Sequence, residues 1–305
     1  MMAYVAGWDG GGSKTAAVCL DLAGAQLMRE SFGPLNPNGT ESSAIEKTIR
    51  STLGAMGKLP GGLSACRYLT VGAAGVSNPK VTELISSLIR KSGYTGPLNI
   101  VGDHEILLYG AVGREGAVLI AGTGSVCIGR NAQGHMQRSG GLGYLIGDEG
   151  SGYWIGLKVL CAVTRSLDGR GPETRMTAPL LETLQCDSLR GIIGQVYGGE
   201  LDKSKIAALS RLLIAAIRQK DETALDIARS AADELCLLAG TVVAALGLED
   251  RCLALSGGLL SSESSPLYLP VVERIQRLYP ALQIISPRTD AAKGAALMAL
   301  DLLNS

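Results

Sequence analysis

The chain has 305 residues, which is enough for two domains that each bury a core of their own. Its 28 basic residues balance its 28 acidic residues, and this zero net charge argues against a nucleic-acid or anionic-membrane partner. Its seven cysteines include no Cys-x-x-Cys pair, which argues against a disulfide framework or a clustered metal site and favours free thiols in a reducing compartment.

The first third of the chain alternates between strands and helices. It starts with Met-Met-Ala-Tyr-Val, which lacks the basic segment of a secretory leader, so we expect a cytoplasmic protein. Apolar runs predict strands over residues 3–8, 15–22 and 26–31, and then a loop over 33–39. Further strands are predicted over 68–72 and 98–101, and helices over 42–56, 80–92 and 105–112. This alternation implies a mixed or parallel sheet, in which ligands gather at the carboxyl ends of strands.

The turn between the first two strands carries the most chemistry. It consists of Asp9, Gly10, Gly11, Gly12, Ser13, Lys14 and Thr15. Glycines let a backbone approach a ligand and point its N–H groups at anionic oxygens, while the three residues that follow them offer donors to a phosphate. Asp9 is placed to hold a metal ion or its waters. The turn is not a Walker A loop, because Ser13 precedes the lysine and a strand follows; the alternative is a glycine-rich hairpin without a ligand.

A similar hairpin begins after residue 117. An apolar strand over 118–121 leads into the turn Gly122-Thr123-Gly124-Ser125, and a second strand follows over 126–130. Two such hairpins predict two related halves that face one cleft. A hairpin turn over residues 131–137, which contains His135, then leads to the densest glycine loop of the chain, over residues 139–152.

The remainder of the chain is mostly helical. Helices are predicted over 153–167, within 174–247 (including 206–217 and 222–246), over 267–278 and over 290–303. Short strands are predicted over 252–255 and 283–285, and the first of them ends in Ser256-Gly257-Gly258. The longest uncharged apolar stretch, residues 235–248, is shorter than the roughly 20 residues of a membrane span and predicts a buried helix.

Five stretches together resemble the BadF/BadG/BcrA/BcrD-type ATPase family of the sugar kinase/actin/Hsp70 superfamily, and within it the N-acetylglucosamine kinases. They cover residues 9–15, 102–103, 122–125, 140–154 and 256–258, and Gly-Asp-Glu-Gly-Ser-Gly-Tyr-Trp at 147–154 is the most specific. The resemblance implies an α/β, two-domain actin-like (ribonuclease H-like) ATPase fold with an inter-domain cleft. We expect one domain over residues 1–115 completed by a helix at 290–305, and a second over 116–289 that carries a helical insertion.

The resemblance also implies nucleotide-binding roles. Residues 9–15 would form the first phosphate loop, with Asp9 holding Mg²⁺ through water, and residues 122–125 would form the second. In this family, the threonine of the second loop, here Thr123, lies close to the transferred phosphate and the sugar. Gly257 and Gly258 would let the backbone lie against the adenosine of ATP.

Asp103 is our candidate general base. It follows Gly102 at the end of a strand, and phosphoryl transfer to a sugar needs a carboxylate that orients the hydroxyl and takes its proton. The structural alternative is a helix N-cap, and the two roles can coexist. We do not expect a dyad with His104, because adjacent residues at a helix start usually point apart.

The sugar contacts implied by the resemblance are Asp103, Thr123, Asp148, the loop at Gly141 and Leu142, and one of Asn36 and Asn38, between which the sequence does not choose. A carboxylate such as Asp148 can accept hydrogen bonds from two vicinal hydroxyls. Glu149 is an alternative contact or a cap of the helix that follows. Equally, two acids at a helix start can serve the helix dipole alone.

Two departures concern sugar recognition. Leu142 stands where related kinases carry a tryptophan that could pack against the sugar, and Val126 stands where they often carry an asparagine. The sequence therefore predicts an ATP- and Mg²⁺-dependent kinase, which resemblance makes a homodimer, acting on the 6-hydroxyl of N-acetylglucosamine or a related amino sugar. The alternatives are an ATPase activator of a 2-hydroxyacyl-CoA dehydratase-type enzyme, with Cys127 near a phosphate loop, and a non-catalytic sugar-binding regulator.

Overall fold

A computed structural model describes residues 3–36 and 40–305. The chain divides into two compact units. Unit 1 comprises Met1–Arg114 and Pro287–Ser305, and unit 2 comprises Glu115–Ser286. Within the described residues, no helix combines the length and the apolar character needed to cross a bilayer.

Unit 1 is built on a five-stranded mixed sheet. Its strands are β1 (Tyr4–Gly10), β2 (Thr15–Asp21), β3 (Gln26–Phe32), β4 (Cys66–Ala73) and β5 (Leu98–Gly102). They lie in the order β3-β2-β1-β4-β5; β1 pairs antiparallel with β2 and parallel with β4. The helices of this unit are α1 (Ser42–Met56), α2 (Pro79–Lys91), α3 (Asp103–Val112) and α11 (Ala291–Leu303), with a short 3₁₀ turn at Leu63–Ala65.

The two faces of this sheet bury different helices, because successive side chains of a strand point to opposite faces. Tyr4 and Trp8 of β1 belong to the same buried cluster as Ile45 of α1 and Ile85 of α2. Val5, between them in β1, packs instead with the alanines of α11. The position of α11 depends on Gly7, since a Cβ there would overlap the backbone of Ala296.

Unit 2 repeats this plan. Its strands are β6 (Gly116–Ala121), β7 (Ser125–Arg130), β8 (Met136–Gly140), β9 (Cys252–Ser256) and β10 (Gln283–Ile285). The order is β10-β9-β6-β7-β8, with β6 antiparallel to β7 and parallel to β9, so β6 occupies the place that β1 has in unit 1. The predicted α/β class with two related halves is confirmed by these matching sheets.

The helices of unit 2 pack into one large core. They are α4 (Gly152–Leu167), α5 (Thr177–Thr183), α6 (Leu189–Tyr197), α7 (Lys203–Ala208), α8 (Ser210–Arg218), α9 (Glu222–Leu246) and α10 (Tyr268–Leu278). The 25-residue helix α9 contributes ten buried residues to this unit. Stretch 235–248 thus lies mainly in a buried helix, as the sequence predicts.

Two local predictions are wrong. Residues 206–217 form not one helix but parts of α7 and α8, because the ladder tightens to an i+3 bond from the Leu209 N–H to the Ile206 carbonyl (3.1 Å) and the Ser210 hydroxyl bonds the Ala207 carbonyl (2.7 Å). The region after His135 is not only a turn, since β8 begins at Met136. This edge strand was missed because its polar residues show no apolar alternation.

Candidate functional site

The first phosphate-loop candidate closes the β1–β2 hairpin. Gly10 pairs with Thr15 across the hairpin, and the Gly11 N–H donates to the Lys14 carbonyl at 3.0 Å. Gly12, Ser13 and Lys14 are exposed at the tip. The loop therefore presents backbone and side-chain donors to the solvent at the carboxyl end of β1.

The base of this loop is anchored by the segment after β3. Thr15 is fully buried and its hydroxyl donates to the Gly33 carbonyl at 2.8 Å. The Gly11 carbonyl accepts hydrogen bonds from the N–H groups of Leu35 and Asn36, at 3.1 and 3.3 Å. Asn36 therefore lies beside the loop, whereas Asn38, the other predicted sugar contact, falls outside the described residues. Because the Thr15 hydroxyl already has a protein acceptor, side-chain donors for a phosphate would have to come from the exposed tip.

Asp9 lies half-buried beside the loop, in an acidic setting. Burial raises the pKa of its carboxyl group, the carboxylates of Asp103 and Asp290 raise it further, and Lys14 opposes them. A cation bound here would relieve this repulsion. One carboxylate is also the protein ligation that Mg²⁺ typically uses when it keeps its waters and binds substrate phosphates. The residues present therefore fit a magnesium ion held by Asp9.

Asp103 is the first residue of α3, and its side chain is 54% exposed. Its Oδ1 accepts the backbone N–H of His104 at 2.8 Å, and the His104 Nδ1 lies 3.5 Å from the same oxygen. The hydrogen bond from the His104 side chain is the main cause that lowers the pKa of Asp103. Both His104 groups thus gather at Oδ1. The expectation that these two side chains point apart is wrong.

The geometry before Asp103 explains this arrangement. Gly102, not Asp103, occupies the N-cap position of α3, and the Glu105 carboxylate accepts the Gly102 N–H at 3.1 Å. The alternative of Asp103 as the N-cap is therefore wrong. A Cβ on Gly102 would overlap the His104 ring, so the glycine makes room for the imidazole to fold back toward Asp103.

The second phosphate-loop candidate, in unit 2, is tied to the start of α4. The Gly122 N–H donates to the Gly124 carbonyl at 2.9 Å. The carbonyls of Gly122 and Thr123 in turn accept the N–H groups of Gly152 (2.8 Å) and Tyr153 (3.3 Å). The first turn of α4 therefore fixes the backbone of this loop.

The hydroxyl of the last loop residue is also committed. Ser125 is buried, and its hydroxyl donates to the Glu149 carbonyl at 2.6 Å. The cap of α4 is Ser151, whose hydroxyl accepts the Trp154 N–H at 3.2 Å. Glu149 is therefore not the helix cap, and its carbonyl joins the 147–150 turn to the second phosphate-loop candidate.

Asp148 is 4% exposed and has a left-handed backbone with φ of 63°. Its Oδ1 accepts the Ser125 N–H at 3.3 Å, and its Oδ2 pairs with the Lys203 Nζ of α7 at 3.0 Å. A Cβ on Gly124 would lie 2.7 Å from Asp148 Oδ1, so the carboxylate lies directly against the second phosphate-loop candidate. In this structure, both carboxylate oxygens have protein partners.

The loop before Asp148 presents apolar side chains to solvent. Gly140, Gly141 and Gly143 all have positive φ, and the Arg138 guanidinium donates to the Gly140 carbonyl at 3.1 Å and to the Gly141 carbonyl. Leu142, where the resemblance leads one to expect tryptophan, is 65% exposed. Arg138 thus fixes a turn whose tip is open.

The adenosine-loop candidate meets the second phosphate loop. Gly257 has φ of 88°, and a Cβ there would overlap the carbonyl end of Ala121, the last residue of β6. A cavity of about 450 Å³ opens between the two loops. Its lining includes Gly122, Thr123, Gly258, Ser204, Arg211 and Ile214. The last three belong to α7 and α8, and sequence reasoning missed them because no motif marks them.

These features define the class of the protein by its fold: it is an α/β protein of two units built on the same plan. Each unit has a glycine-rich hairpin turn on the same five-stranded sheet, and unit 2 joins its turn to a second glycine loop at a cavity. The family model described as the BadF/BadG/BcrA/BcrD ATPase family matches residues 6–299, and the chain belongs to that family.

Within the family, the chain is similar to sugar kinases. It is 36% identical to the N-acetylmuramic acid/N-acetylglucosamine kinase of Clostridium acetobutylicum, over 98% of both chains. It is 31% identical to the N-acetyl-D-glucosamine kinase of Dictyostelium discoideum, over 97% of both chains. Its structure is similar to that of a candidate N-acetylglucosamine kinase from Chromobacterium violaceum, with a TM-score of 0.70 and 26% identity over 98% of this chain and 99% of that chain.

Proposed function

We propose that this protein is an ATP-dependent kinase that transfers the γ-phosphoryl group to a hydroxyl, the 6-hydroxyl, of N-acetylglucosamine or a related amino sugar. The observation that carries the proposal is the geometry of Asp103. Its Oδ1 accepts the His104 N–H at 2.8 Å, and its side chain is 54% exposed, so a substrate hydroxyl can reach the carboxylate. A hydrolase needs only an oriented water, whereas transfer to a sugar needs a carboxylate aimed at the acceptor. The full-length similarity to two sugar kinases supports the same reaction.

The reaction proceeds by one displacement. The Asp103 carboxylate orients the sugar hydroxyl and takes its proton while the hydroxyl oxygen forms a bond to the γ-phosphorus. The bond from that phosphorus to the bridging oxygen breaks, and ADP leaves. Charge on the phosphate oxygens is offset by backbone N–H groups of the two loops and by Lys14. Asp9 would hold Mg²⁺ through water, and the ion would supply positive charge to the phosphate oxygens.

Nucleotide binding is assigned to both loops and to the cavity of unit 2. Residues 10–15 and 122–125 would bind phosphates, without the hydroxyls of Thr15 and Ser125, which donate to protein carbonyls. Gly257 and Gly258 would face the adenosine. The cavity beside Gly258 has Ile214 and Arg211 in its wall, which suit the apolar faces and polar edges of a nucleobase. Its volume of about 450 Å³ falls in the range of small-molecule sites.

Sugar binding is assigned to one of Asn36 and Asn38 and to Asp103, Thr123, Gly141, Leu142 and Asp148. Asn36 is supported by its position beside the first loop, since its N–H bonds the Gly11 carbonyl. Asp148 is supported by its contact with the second loop and by its left-handed backbone, which is uncommon outside glycine and often marks functional sites. A sugar hydroxyl that reaches Asp148 replaces or shares one of the present partners of its carboxylate.

Cys127 bears on the activator alternative. A cluster shared between subunits needs thiolates at a surface, whereas Cys127 is completely buried in β7 and burial raises the pKa of its thiol strongly. The kinase is therefore favoured over the activator. The other alternative, a sugar-binding regulator without catalytic turnover, is tested by measuring ADP release.

The test is ADP release with Mg-ATP across hexoses, hexosamines, N-acetylhexosamines and a muramyl sugar, with a no-sugar control. We expect strong stimulation by one amino sugar, and mass and NMR spectra of the product that place the phosphate on the 6-oxygen. Asp103→Asn should lower turnover about 10²- to 10⁴-fold and leave ATP binding intact. ATP hydrolysis whose rate no sugar changes, or full turnover by Asp103→Asn, would contradict the proposal.

We further propose that the enzyme is a homodimer and that it is located in the cytoplasm. Sedimentation of the purified protein at micromolar concentration measures the mass of the assembly. A purely monomeric species that is fully active would remove the dimer from the proposal and leave the reaction in place.

A further inference from the structure

Tyr144 supplies an aromatic surface in the loop where Leu142 replaces the expected tryptophan. We propose that the ring of Tyr144 stacks on the apolar face of the amino sugar whose hydroxyls Asp148 receives, and thereby sets the affinity of the enzyme for that sugar. The inference rests on the proposed function and adds a specificity-determining residue to it.

The Tyr144 ring shares a cationic neighbour with the Asp148 carboxylate. Lys203 Nζ lies 3.0 Å from Asp148 Oδ2 and 5.3 Å from the centroid of the Tyr144 ring. One ammonium group therefore contacts both the carboxylate and the ring. A ligand that exchanges hydrogen bonds with Asp148 comes within reach of the Tyr144 face.

The Tyr144 ring packs against a second aromatic ring. Tyr144 meets Tyr153 of α4 edge to face, with centroids 5.0 Å apart and planes at 62°. This arrangement is a favoured aromatic geometry. Tyr144 nevertheless remains 43% exposed. A large ring that is held by a neighbouring ring and is still partly exposed offers contact area at a low cost in conformational entropy, since tyrosine has only two side-chain torsions.

The chemistry of the ligand supports the same role. A pyranose presents C–H groups on its faces and hydroxyls at its rim, so an aromatic face beside a carboxylate matches both parts. The neighbouring Leu145 and Ile146 are even more exposed, at 82% and 75%, but neither has a flat face. Among the side chains of residues 142–147, Tyr144 alone is aromatic.

The experiment measures sugar binding and turnover in parallel. For Tyr144→Leu we expect a Kd and a KM for N-acetylglucosamine about three- to tenfold higher, as expected from the loss of one aromatic contact. The KM for ATP and the kcat at saturating sugar should change less than about twofold, because the ring does not touch the reacting atoms. Tyr144→Phe keeps the ring and should match the native enzyme. Leu145→Ala is the matched control from the same exposed loop and should also match it.

The outcomes distinguish the role of Tyr144 from the kinase activity. If folded Tyr144→Leu has unchanged sugar affinity while the native protein phosphorylates the sugar, the inference on Tyr144 is overturned and the kinase is upheld. A native protein that neither binds nor phosphorylates any sugar overturns both proposals. If Tyr144→Leu does not fold, Tyr144→Trp places a fluorophore at the same position. A sugar-dependent change in emission beyond that of the native Trp8 and Trp154 then supports stacking, and its absence overturns it.

Discussion

Asp148 and Lys203 form a salt bridge in unit 2 that ties the turn before α4 to α7. Lys203→Met keeps the length and the apolar stem of the side chain and removes the ammonium group. Asp148, whose side chain is only 5% exposed, would then keep the Ser125 N–H as its polar partner among the contacts described here. We expect the free energy of unfolding of unit 2 to fall.

The magnitude follows from the geometry. Two unit charges 3.0 Å apart attract by about 1.4 kcal/mol in a water-like dielectric and by about 5.5 kcal/mol at an effective dielectric constant of about 20. The side chain of Lys203 is 36% exposed, which places the pair between these limits and below the roughly 3–5 kcal/mol lost when a fully buried pair is broken. A loss of about 2 kcal/mol is therefore expected. For a unit of about 170 residues, this lowers the thermal midpoint by about 4–8 °C.

The assay is thermal unfolding of a double-mutant cycle made of Lys203→Met, Asp148→Asn and the double variant. If the two charges stabilise one another, the double variant loses about as much as either single variant, and the coupling energy is about 1–2 kcal/mol. Lys205→Met is the matched control, because this lysine is on the same helix and its Nζ bonds the Glu200 carbonyl at an exposed position. It should change stability by less than about 0.5 kcal/mol.

A midpoint for Lys203→Met that is indistinguishable from that of Lys205→Met would refute the reasoning. So would a coupling energy near zero, since it would mean that Asp148 is stabilised by its backbone donor and by solvent rather than by Lys203. Sugar affinity of the same variants adds an independent reading. If the ammonium competes with sugar hydroxyls for Oδ2, Lys203→Met tightens sugar binding while it lowers stability.

Three further predictions concern the other parts of the site. His104→Leu removes the main cause of the lowered pKa of Asp103, so that this pKa rises and the base is protonated at higher pH. The acidic limb of kcat, measured from about pH 3 to about pH 8, should therefore move upward. An unmoved limb contradicts this, and His104→Asn, which keeps a donor, should restore the native profile. Gly7→Ala should destabilise unit 1 by about 2 kcal/mol or more, because the methyl group overlaps the backbone of α11, whereas Gly54→Ala, with open space around it, should be neutral or slightly stabilising in chemical denaturation. Leu142→Trp should reorder the specificity constants among sugars and leave the KM for ATP unchanged; an unaltered ranking would show that position 142 does not face the sugar.

Much of the fold could be predicted because its signals are local. The first hairpin shows in the sequence as two apolar runs around three glycines, and β1 and β2 lie where those runs do. The same pattern at residues 117–130 reappears as β6 and β7. Strand β8 has no such signal, because a polar edge strand lacks the alternation of apolar and polar residues that predicts a strand.

The partners of the site residues could not be predicted, because they are set by tertiary contacts. Lys203 is 55 residues from Asp148 in sequence and reaches it only through the packing of α7 against α4. Ser204, Arg211 and Ile214 enter the cavity for the same reason. The pairing of Asp103 with His104 is local in sequence, yet it depends on the absence of a Cβ at Gly102, which a general rule about adjacent side chains does not capture.

The two phosphate-loop candidates share a device that neither sequence pattern revealed. Thr15 and Ser125 each stand at the first position of the strand that follows the loop, and each donates its buried hydroxyl to a carbonyl of a later loop, that of Gly33 or of Glu149. A hydroxyl at this position therefore fastens a second loop to the hairpin instead of reaching a ligand. In unit 1 the fastened segment leads to Asn36, and in unit 2 it includes Asp148. The same hydrogen bond thus places a predicted sugar-binding side chain beside a predicted phosphate loop in each unit, which is the local arrangement that transfer between two bound substrates requires.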